Sequence, residues 1–219
     1  FTANVSHELK TPLQSIIGSV ELLENDLVQP EDRPRFLGRI HQEAQRLVSL
    51  INDILGLSQL DEGAAMPRES VSLLSLAQEA AASLSAAAQA QNVTLTVNGT
   101  AGTLTGVRRL LSETVRNLCE NAVKYNVPGG SITVTVAETP RAVTLTVADT
   151  GIGIPPADQS RVFERFYRVD KSHSRAIGGT GLGLSIVKHA VAYHHGTVQL
   201  DSTPGQGTVI TVTLPKDAA

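Results

Sequence analysis

Several residue types are scarce or absent in this chain of 219 residues. Its single cysteine cannot form an internal disulfide, which suits a reducing compartment and excludes a disulfide-stapled domain. No apolar run approaches the ~20 residues that a bilayer-spanning helix needs, and there is no signal-peptide pattern. The net charge of −3 provides no basic footprint for nucleic acid, so we expect no nucleic-acid partner. Tryptophan is absent and aromatic residues make up only 3% of the chain, so its few tyrosines stand out.

The remaining composition is that of a globular protein. Hydrophobic residues make up 41% of the chain and charged residues 18%. The length suffices for one or two domains with real cores. Because the chain begins without methionine and inside a helical pattern, we expect its first helix to continue upstream in a longer protein.

The first 27 residues have the periodicity of one amphipathic helix, with apolar residues within about 80° of Leu9. His7 falls roughly 160° from that stripe, and Thr11 lies beside it one turn later. The helix therefore presents to water a titratable imidazole that is followed at once by the acid Glu8. Taken alone, an ordinary surface histidine is the simpler interpretation.

A second amphipathic pattern follows a turn at residues 28–34 and runs to about residue 60. Two long helices joined by a short turn form an antiparallel hairpin. One hairpin cannot cover both apolar stripes, so two copies are predicted to pair into a four-helix bundle. The alternative is that a second domain covers the exposed stripe.

After a linker at residues 63–69 the pattern changes to interspersed helices and strands. We predict an α/β sandwich in which one mixed sheet is covered by helices on one face. Residues 162–167 indicate a short helix or a turn. The predicted helices cover residues 73–91, 107–126 and 182–194, and the predicted strands cover residues 93–97, 131–137, 142–148, 197–201 and 207–214.

The helix at residues 107–126 carries a polar stripe beside its apolar one. Asn117, Asn121, Lys124 and Tyr125 share one side of it. Amide oxygens are hard ligands that suit Mg²⁺, a lysine suits a phosphate oxygen and a tyrosine offers its ring to a purine. The alternative is a solvated face, although asparagine is locally disfavoured in the middle of a helix.

Two glycine-containing segments follow. Asp149-Thr150-Gly151-Ile152-Gly153 comes directly after a strand, where a carboxylate can accept a hydrogen bond from an exocyclic amine and glycines allow close backbone approach. The alternative is a tight turn. Residues 178–185 open a helix with Gly-Gly-Thr-Gly-Leu-Gly, whose N–H groups can bind an anion. This segment lacks the lysine of a P-loop and does not follow a strand as a Rossmann turn does.

In this order and spacing, five motifs resemble those of the catalytic core of bacterial sensor histidine kinases, the transmitter half of two-component systems. The resemblance covers essentially all 219 residues. The motifs are an H box at His7–Pro12, an N box at Asn117–Tyr125, a first G box at Asp149–Gly153, an F box at Val162–Arg168 and a second G box at Gly179–Leu184.

This resemblance implies a dimerisation and histidine-phosphotransfer domain at residues 1–62 and an ATP-binding domain of the gyrase and histidine-kinase superfamily at residues 70–219. It implies a homodimer, a response-regulator receiver domain as partner and an upstream sensor domain. It also implies a cytoplasmic domain of a membrane-anchored bacterial sensor whose anchor is outside this chain.

The resemblance also assigns the nucleotide site. Asn121 would coordinate Mg²⁺ with Asn117 nearby, Lys124 would reach phosphates, Tyr125 would stack on adenine and Asp149 would bind its amino group. Residues 164–180 would form a lid, in which Arg168 contacts the γ-phosphate. The remaining expected ATP contacts are Gly151, Gly153, Gly179, Thr180, Gly181, Leu182 and Gly183.

For the chemistry, the resemblance implies that His7 attacks the γ-phosphorus of ATP and becomes a phosphohistidine, while Glu8 accepts a proton from the other ring nitrogen. The phosphoryl group then passes to an aspartate of a regulator, and Thr11 positions water for the regulator's dephosphorylation. Related hydrolysing ATPases carry a water-activating glutamate where this chain has Asn117, which favours transfer over hydrolysis. The alternatives are a non-catalytic ATP-sensing scaffold and a gyrase-type ATPase.

Overall fold

The structure is a computed structural model that describes residues 2–61, 66–169 and 180–216. The chain divides into two compact units, Phe1–Gln59 and Leu60–Ala219. Within the described residues, no helix has the length and apolar character needed to cross a membrane.

The first unit is a helical hairpin of α1 (Thr2–Glu24) and α2, which spans Arg33–Asp61. α1 ends three residues before the predicted boundary because Asp26 adopts a left-handed conformation with φ of 52°. Leu27 N–H then bonds back to the carbonyl of Leu22 at 3.0 Å, which closes the helix end. The hairpin predicted from the two apolar stripes is confirmed.

Large apolar side chains remain exposed on both helices of the hairpin. The exposed fraction is 49% for Leu13, 47% for Ile17 and 59% for Val48. Exposed apolar patches of this kind mark interaction surfaces. On α2, Leu37, Ile51 and Leu55 are also exposed and lie on the same side of the helix as Val48.

The second unit contains a five-stranded mixed sheet in the order β2-β4-β5-β7-β6. Strands β2 and β4 pair in parallel, and the other neighbours pair antiparallel. Strands β4 and β5 form one hairpin, and β6 and β7 form another. The strands are β2 (Thr94–Gly99), β4 (Ser131–Glu138), β5 (Ala142–Asp149), β6 (Thr197–Thr203) and β7 (Gly207–Pro215).

Three helices pack on one face of this sheet: α3 (Leu73–Ala90), α4 (Arg108–Lys124) and α6 (Gly183–Tyr193). The strands alternate, so that one face buries valine, isoleucine and leucine against these helices while threonines occupy the other face. The predicted α/β sandwich with a mixed sheet is therefore confirmed. The buried strand residues include Ile132, Val134, Val136, Val143, Leu145, Val147, Ile210, Val212 and Leu214.

Some short elements were not predicted. β1 (Glu69–Ser72) and β3 (Thr103–Gly106) form a separate antiparallel pair, and α5 covers Pro156–Gln159. Four residues are too few to show a helical or strand period. The F box forms turns, which was one of the two options for it. Within the predicted linker and lid, residues 62–65 and 170–179 lie outside the described residues.

Candidate functional site

Helix α4 buries one side under the core and turns its polar stripe toward solvent. Asn117, Asn121 and Lys124 are all partly buried, and Tyr125 follows as the C-terminal cap. The spacing of four and three residues places them on one side of the helix. The apolar side consists of Leu110, Leu111, Val115, Leu118, Cys119, Ala122 and Val123.

Asn117 has a defined orientation. Its Nδ2 donates to the carbonyl oxygen of Glu113 at 2.9 Å, so its Oδ1 is available on the other side of the amide. That oxygen faces the start of α6, where a Cβ on Gly183 would lie only 2.8 Å from it. Glycine at position 183 therefore lets the two helices approach closely at the site.

Tyr125 connects three parts of the site. Nζ of Lys124 lies 5.1 Å from the centroid of the Tyr125 ring. The backbone carbonyl of Tyr125 accepts a hydrogen bond from Ile152 N–H at 3.0 Å. Burial raises the pKa of Tyr125, and the positive charge of Arg168 opposes that rise. The opposing effect indicates that the F-box arginine lies within electrostatic reach of this ring.

Asp149 is the last residue of β5. Its Oδ1 accepts hydrogen bonds from Gly151 N–H at 2.8 Å and Thr208 N–H at 3.3 Å. Burial raises the pKa of this carboxyl, and the two hydrogen bonds act against the rise. Among the described residues no hydrogen bond goes to Oδ2, so this oxygen can accept one from a ligand.

The glycines of the first G box pack against neighbouring backbone. A Cβ at Gly151 would lie 2.3 Å from the carbonyl oxygen of Tyr125. Gly153 has φ of +67°, and a Cβ there would lie 2.2 Å from the carbonyl oxygen of Thr203. Side chains at these two positions would force the turn away from Tyr125 and from the β6–β7 hairpin.

The second G box is described from Thr180 onward, and Gly179 lies outside the described residues. Thr180 Oγ1 accepts a hydrogen bond from Leu182 N–H at 3.2 Å. Gly181 has φ of +71°, and its carbonyl accepts a hydrogen bond from Phe166 N–H at 2.9 Å. The start of α6 is thus joined directly to the F box.

The donor set suits Mg²⁺ without a carboxylate cage. Among the described residues there is no group of three or more His, Cys, Asp or Glu that could hold a metal ion. The amide oxygens of Asn117 and Asn121 are hard ligands, of the kind that bind Mg²⁺ together with substrate phosphates. Cys119 is completely buried on the apolar side of α4, away from the polar stripe, and this burial raises its pKa to about 12.

The first unit holds the other predicted residues. The side chain of His7 is 73% exposed, and its Nδ1 lies 4.0 Å from Oε1 of Glu8. Thr11 Oγ1 donates to the carbonyl oxygen of His7 at 3.2 Å. Glu8 is only 28% exposed, and its Oε2 lies 4.0 Å from Nη2 of Arg46 on α2. The ring of His7 is therefore largely exposed to solvent, and its Nδ1 lies on the side of its acidic neighbour.

Two family models match this chain. Residues 106–218 match the "Histidine kinase-, DNA gyrase B-, and HSP90-like ATPase" family, and residues 1–63 match the "His Kinase A (phospho-acceptor) domain". The chain belongs to the sensor histidine kinases. The first match is to an ATP-binding domain, so this sensor histidine kinase core uses ATP.

Curated relatives agree with this assignment. The chain is 38% identical over 222 residues to the sensor-like histidine kinase SenX3 of Mycolicibacterium smegmatis, with 99% of this chain and 57% of that protein covered. It is 38% identical over 229 residues to the sensor histidine kinase WalK of Bacillus subtilis, with 98% of this chain and 36% of WalK covered. The chain thus spans about half or less of the length of these relatives.

Solved structures show the same fold. The histidine kinase AdeS of Acinetobacter baumannii superposes with a TM-score of 0.80 at 18% identity, over 96% of this chain and 98% of AdeS. Full-length ShkA in complex with AMPPNP superposes with a TM-score of 0.73 at 28% identity, over 99% of this chain and 46% of ShkA.

One buried histidine of this kinase core has a structural role that can be measured. His194 is completely buried; its Nε2 accepts from Val107 N–H at 2.9 Å, and its Nδ1 donates to the carbonyl oxygen of Ala190 at 2.7 Å. Burial lowers the pKa of His194 below the usual value of about 6.5. Between the lowered pKa and about 6.5 the unfolded chain binds more protons than the folded one, so the second unit should lose stability as the pH falls through that window. Below the lowered pKa this group causes no further loss.

We expect His194→Ala to destabilise the second unit by about 1–3 kcal/mol at pH 7.5, because Val107 N–H loses its acceptor. The variant should also lose the part of the acid sensitivity that His194 supplies. Urea unfolding followed by tyrosine fluorescence at pH 7.5, 6.5 and 5.5 measures this unit alone, since Tyr125, Tyr167 and Tyr193 all lie in it and tryptophan is absent. The exposed neighbour His195, changed to Asn, is the control, and an unchanged pH slope in His194→Ala would contradict the assignment.

Proposed function

We propose that this chain autophosphorylates at His7 with ATP and transfers the phosphoryl group to an aspartate of a response regulator. The observation that carries the proposal is the exposed imidazole of His7 with the Glu8 carboxylate beside Nδ1. A nucleophile must be neutral and accessible, and Glu8 favours the tautomer that keeps the proton on Nδ1. Nε2 then carries the lone pair that attacks.

ATP would bind in the second unit. Tyr125 stacks on adenine, and Oδ2 of Asp149 accepts a hydrogen bond from its amino group. The backbones of Gly151 and Gly153 lie against the nucleotide, and Lys124 reaches its phosphates. N–H groups at the start of α6 favour phosphate because they have no partner within the helix. Gly181 and Gly183 carry these N–H groups, whereas the N–H of Leu182 already donates to Oγ1 of Thr180. Gly179 and Thr180 precede them in the chain.

Asn121, with Asn117 nearby, would hold Mg²⁺. Neutral amide ligands leave the charge of the ion available to offset the negative phosphates. The backbone carbonyl of Asn121 accepts a hydrogen bond from Tyr125 N–H at 3.0 Å. Its side-chain amide makes none to the described residues, so the amide oxygen can serve a ligand without breaking an existing contact.

In the transfer step, Nε2 of His7 forms a bond to the γ-phosphorus while the bond to the bridging oxygen of ADP breaks. Arg168 places its positive charge near the transferred group, and Glu8 holds the Nδ1 proton as charge develops on the ring. The phosphohistidine then donates the group to a carboxylate oxygen of the regulator's aspartate, which restores neutral His7.

A gyrase-type ATPase is the second candidate, and the geometry disfavours it. Hydrolysis needs a base for the attacking water, whereas position 117 carries an amide whose nitrogen already donates to the Glu113 carbonyl. Glu120 is the nearest acid along the helix, and it pairs with Arg116 at 3.6 Å on the exposed side of α4. A non-catalytic ATP-sensing scaffold is the third candidate.

The partners follow from the exposed surface and from the relatives. The apolar face of the hairpin, with Leu13, Ile17 and Val48 about half exposed, supports a homodimer through a four-helix bundle. Histidine kinase ThkA has been solved in complex with response regulator protein TrrA, which supports a receiver domain as partner. Because the chain spans only about half of its relatives, an upstream sensor domain and membrane attachment in a bacterial cell belong to the proposal.

We also propose that the chain dephosphorylates the regulator. Thr11 lies one helical turn after His7, and its hydroxyl donates to the His7 carbonyl. Rotation about χ1 would release this hydroxyl to orient a water molecule toward an aspartyl phosphate docked at the same surface.

The proposal predicts that Asp149 controls nucleotide affinity. Asp149→Asn should weaken binding of AMPPNP by about tenfold or more, because a charge-assisted hydrogen bond is lost. In the unchanged protein, affinity should fall in acid from a higher pH than an ordinary aspartate would give, because burial raises the pKa of Asp149 and protonation removes the accepting charge. Calorimetric titrations at pH 7.5, 6.0 and 5.0 measure both effects. Asp201→Asn, on an exposed position of β6, is the control, and equal affinities for Asp149→Asn and the unchanged protein would remove Asp149 from the site.

The proposal also predicts a phosphohistidine at position 7. Incubation with γ-labelled ATP and Mg²⁺ should give label that is lost in acid and stable in base, and His7→Ala should carry none. His41→Ala is the matched control, because it removes another exposed histidine of the hairpin. Absence of label despite ATP binding would favour the scaffold, and phosphate release that is equal in both proteins would favour the ATPase.

For Thr11 we expect a separation of the two activities. Thr11→Ala should keep autophosphorylation within about twofold and slow dephosphorylation of the phosphorylated regulator by about tenfold or more, because the water loses its orienting group. Thr11→Ser, which keeps the hydroxyl, should retain both rates. The rate of phosphate release from purified phosphorylated regulator measures the phosphatase activity. A Thr11→Ala protein with undiminished phosphatase activity would refute this role.

A further inference from the structure

A histidine of α6 that no motif assigns contacts an arginine of the F box. Arg165 Nη2 lies 2.9 Å from Nε2 of His189, and Nδ1 of His189 lies 2.7 Å from the carbonyl oxygen of Ser185. A guanidinium can only donate and a carbonyl can only accept. The partners therefore assign the roles of the two ring nitrogens: Nδ1 donates to the carbonyl oxygen of Ser185, and Nε2 accepts from Arg165.

Hydrogen bonds also hold Phe166 and Tyr167, the next two residues of the F box. Phe166 has φ of 64°, an uncommon conformation for an aromatic residue, and its N–H bonds to the carbonyl of Gly181 at 2.9 Å. A Cβ on Gly181 would lie 2.9 Å from the Phe166 backbone. Tyr167 then donates its hydroxyl to Asp158. Such strained backbone persists only where surrounding contacts hold it.

Arg168 comes directly after Arg165, Phe166 and Tyr167, each of which makes one of these hydrogen bonds. It is partly buried, and its charge opposes the rise in the pKa of Tyr125. The direction in which the chain leaves Tyr167 determines where this guanidinium points. A contact that holds Arg165 against α6 therefore limits the positions that the guanidinium of Arg168 can occupy.

We infer that Arg165 and His189 form a latch that positions Arg168 for the γ-phosphate of ATP. Both are positioning residues, since they act through the F-box backbone and not on the nucleotide. The inference rests on the proposed function for its catalytic consequence. The latch requires that the side chain at position 189 offer a hydrogen-bond acceptor to Arg165. A side chain that only filled space there would need only a similar volume.

The experiment compares Arg165→Ala, His189→Ala and the double variant with the unchanged chain, and it measures affinity for ADP, affinity for AMPPNP and the initial rate of His7 labelling. Arg168 can favour AMPPNP over ADP only through the γ-phosphate. Each single variant should therefore leave ADP affinity within about twofold and weaken AMPPNP binding and labelling by about tenfold. The double variant should be no more impaired than either single variant, because each single variant already removes the contact between Arg165 and His189.

Two further variants separate positioning from folding. His189→Gln keeps an acceptor for Arg165 and a donor for Ser185, and it should restore most of the lost AMPPNP preference. Lys188→Ala changes the exposed preceding residue of α6 and should leave all three measurements unchanged. Thermal unfolding followed by tyrosine fluorescence identifies any variant that has lost the second unit's fold.

Three outcomes would overturn the latch: equal losses of ADP and AMPPNP affinity, multiplying effects in the double variant, or a His189→Gln protein as impaired as His189→Ala. Failure of the proposed function is distinguishable from all three. In that case the unchanged chain shows no label on His7, while the AMPPNP preference and its dependence on Arg165 and His189 are still measured and still decide the latch.

Discussion

The proposed nucleotide site depends on helices α4 and α6 contacting each other near both ends of α6. At one end the buried imidazole of His194 bonds the C-terminal turn of α6 to Val107, the cap of α4. Gly106 leaves room for this ring, since a Cβ there would lie 3.0 Å from it. At the other end Gly183 allows α6 to approach Asn117. Because the helices run antiparallel between these points, the N box and the second G box face each other on rigid elements.

Close backbone packing within the fold requires the glycines of the first G box, whether or not a ligand is bound. Gly151 and Gly153 are needed because backbone carbonyls of Tyr125 and Thr203 lie where a Cβ would be. A hydrogen bond from Gly205 N–H to the Ile152 carbonyl, at 2.8 Å, fixes the same turn to the β6–β7 hairpin. The carboxylate of Asp149 is thereby fixed on its Oδ1 side and available on its Oδ2 side. Close packing on one face is what leaves a defined polar face for a nucleotide.

Periodicity predicted the long elements correctly, because apolar residues at helical or strand spacing decide which face is buried. It missed β1 and β3, which have four residues each, and it missed contacts made between distant segments. The position of His194 at a helix C-terminus gives no sign that its ring is buried, that burial lowers its pKa or that its role is hydrogen bonding. His189 gave no local signal, since its partner Arg165 lies 24 residues earlier in the chain. Motif order indicated the site residues, but their orientations depend on such tertiary contacts.

The two units place opposite demands on their functional side chains. Asn117, Tyr125 and Asp149 are partly buried, and hydrogen bonds or neighbouring backbone limit how they can move, which suits binding of one ligand in one geometry. His7 must meet both a nucleotide and a regulator in the proposed cycle, so its ring has to remain accessible from several directions. Its 73% exposure meets that requirement, and the less exposed Glu8, within reach of Arg46, supplies the fixed neighbour. In the proposed cycle, an imidazole that must meet two partners depends on the position of its neighbouring carboxylate more than on a fixed ring, because the carboxylate would select the reactive nitrogen.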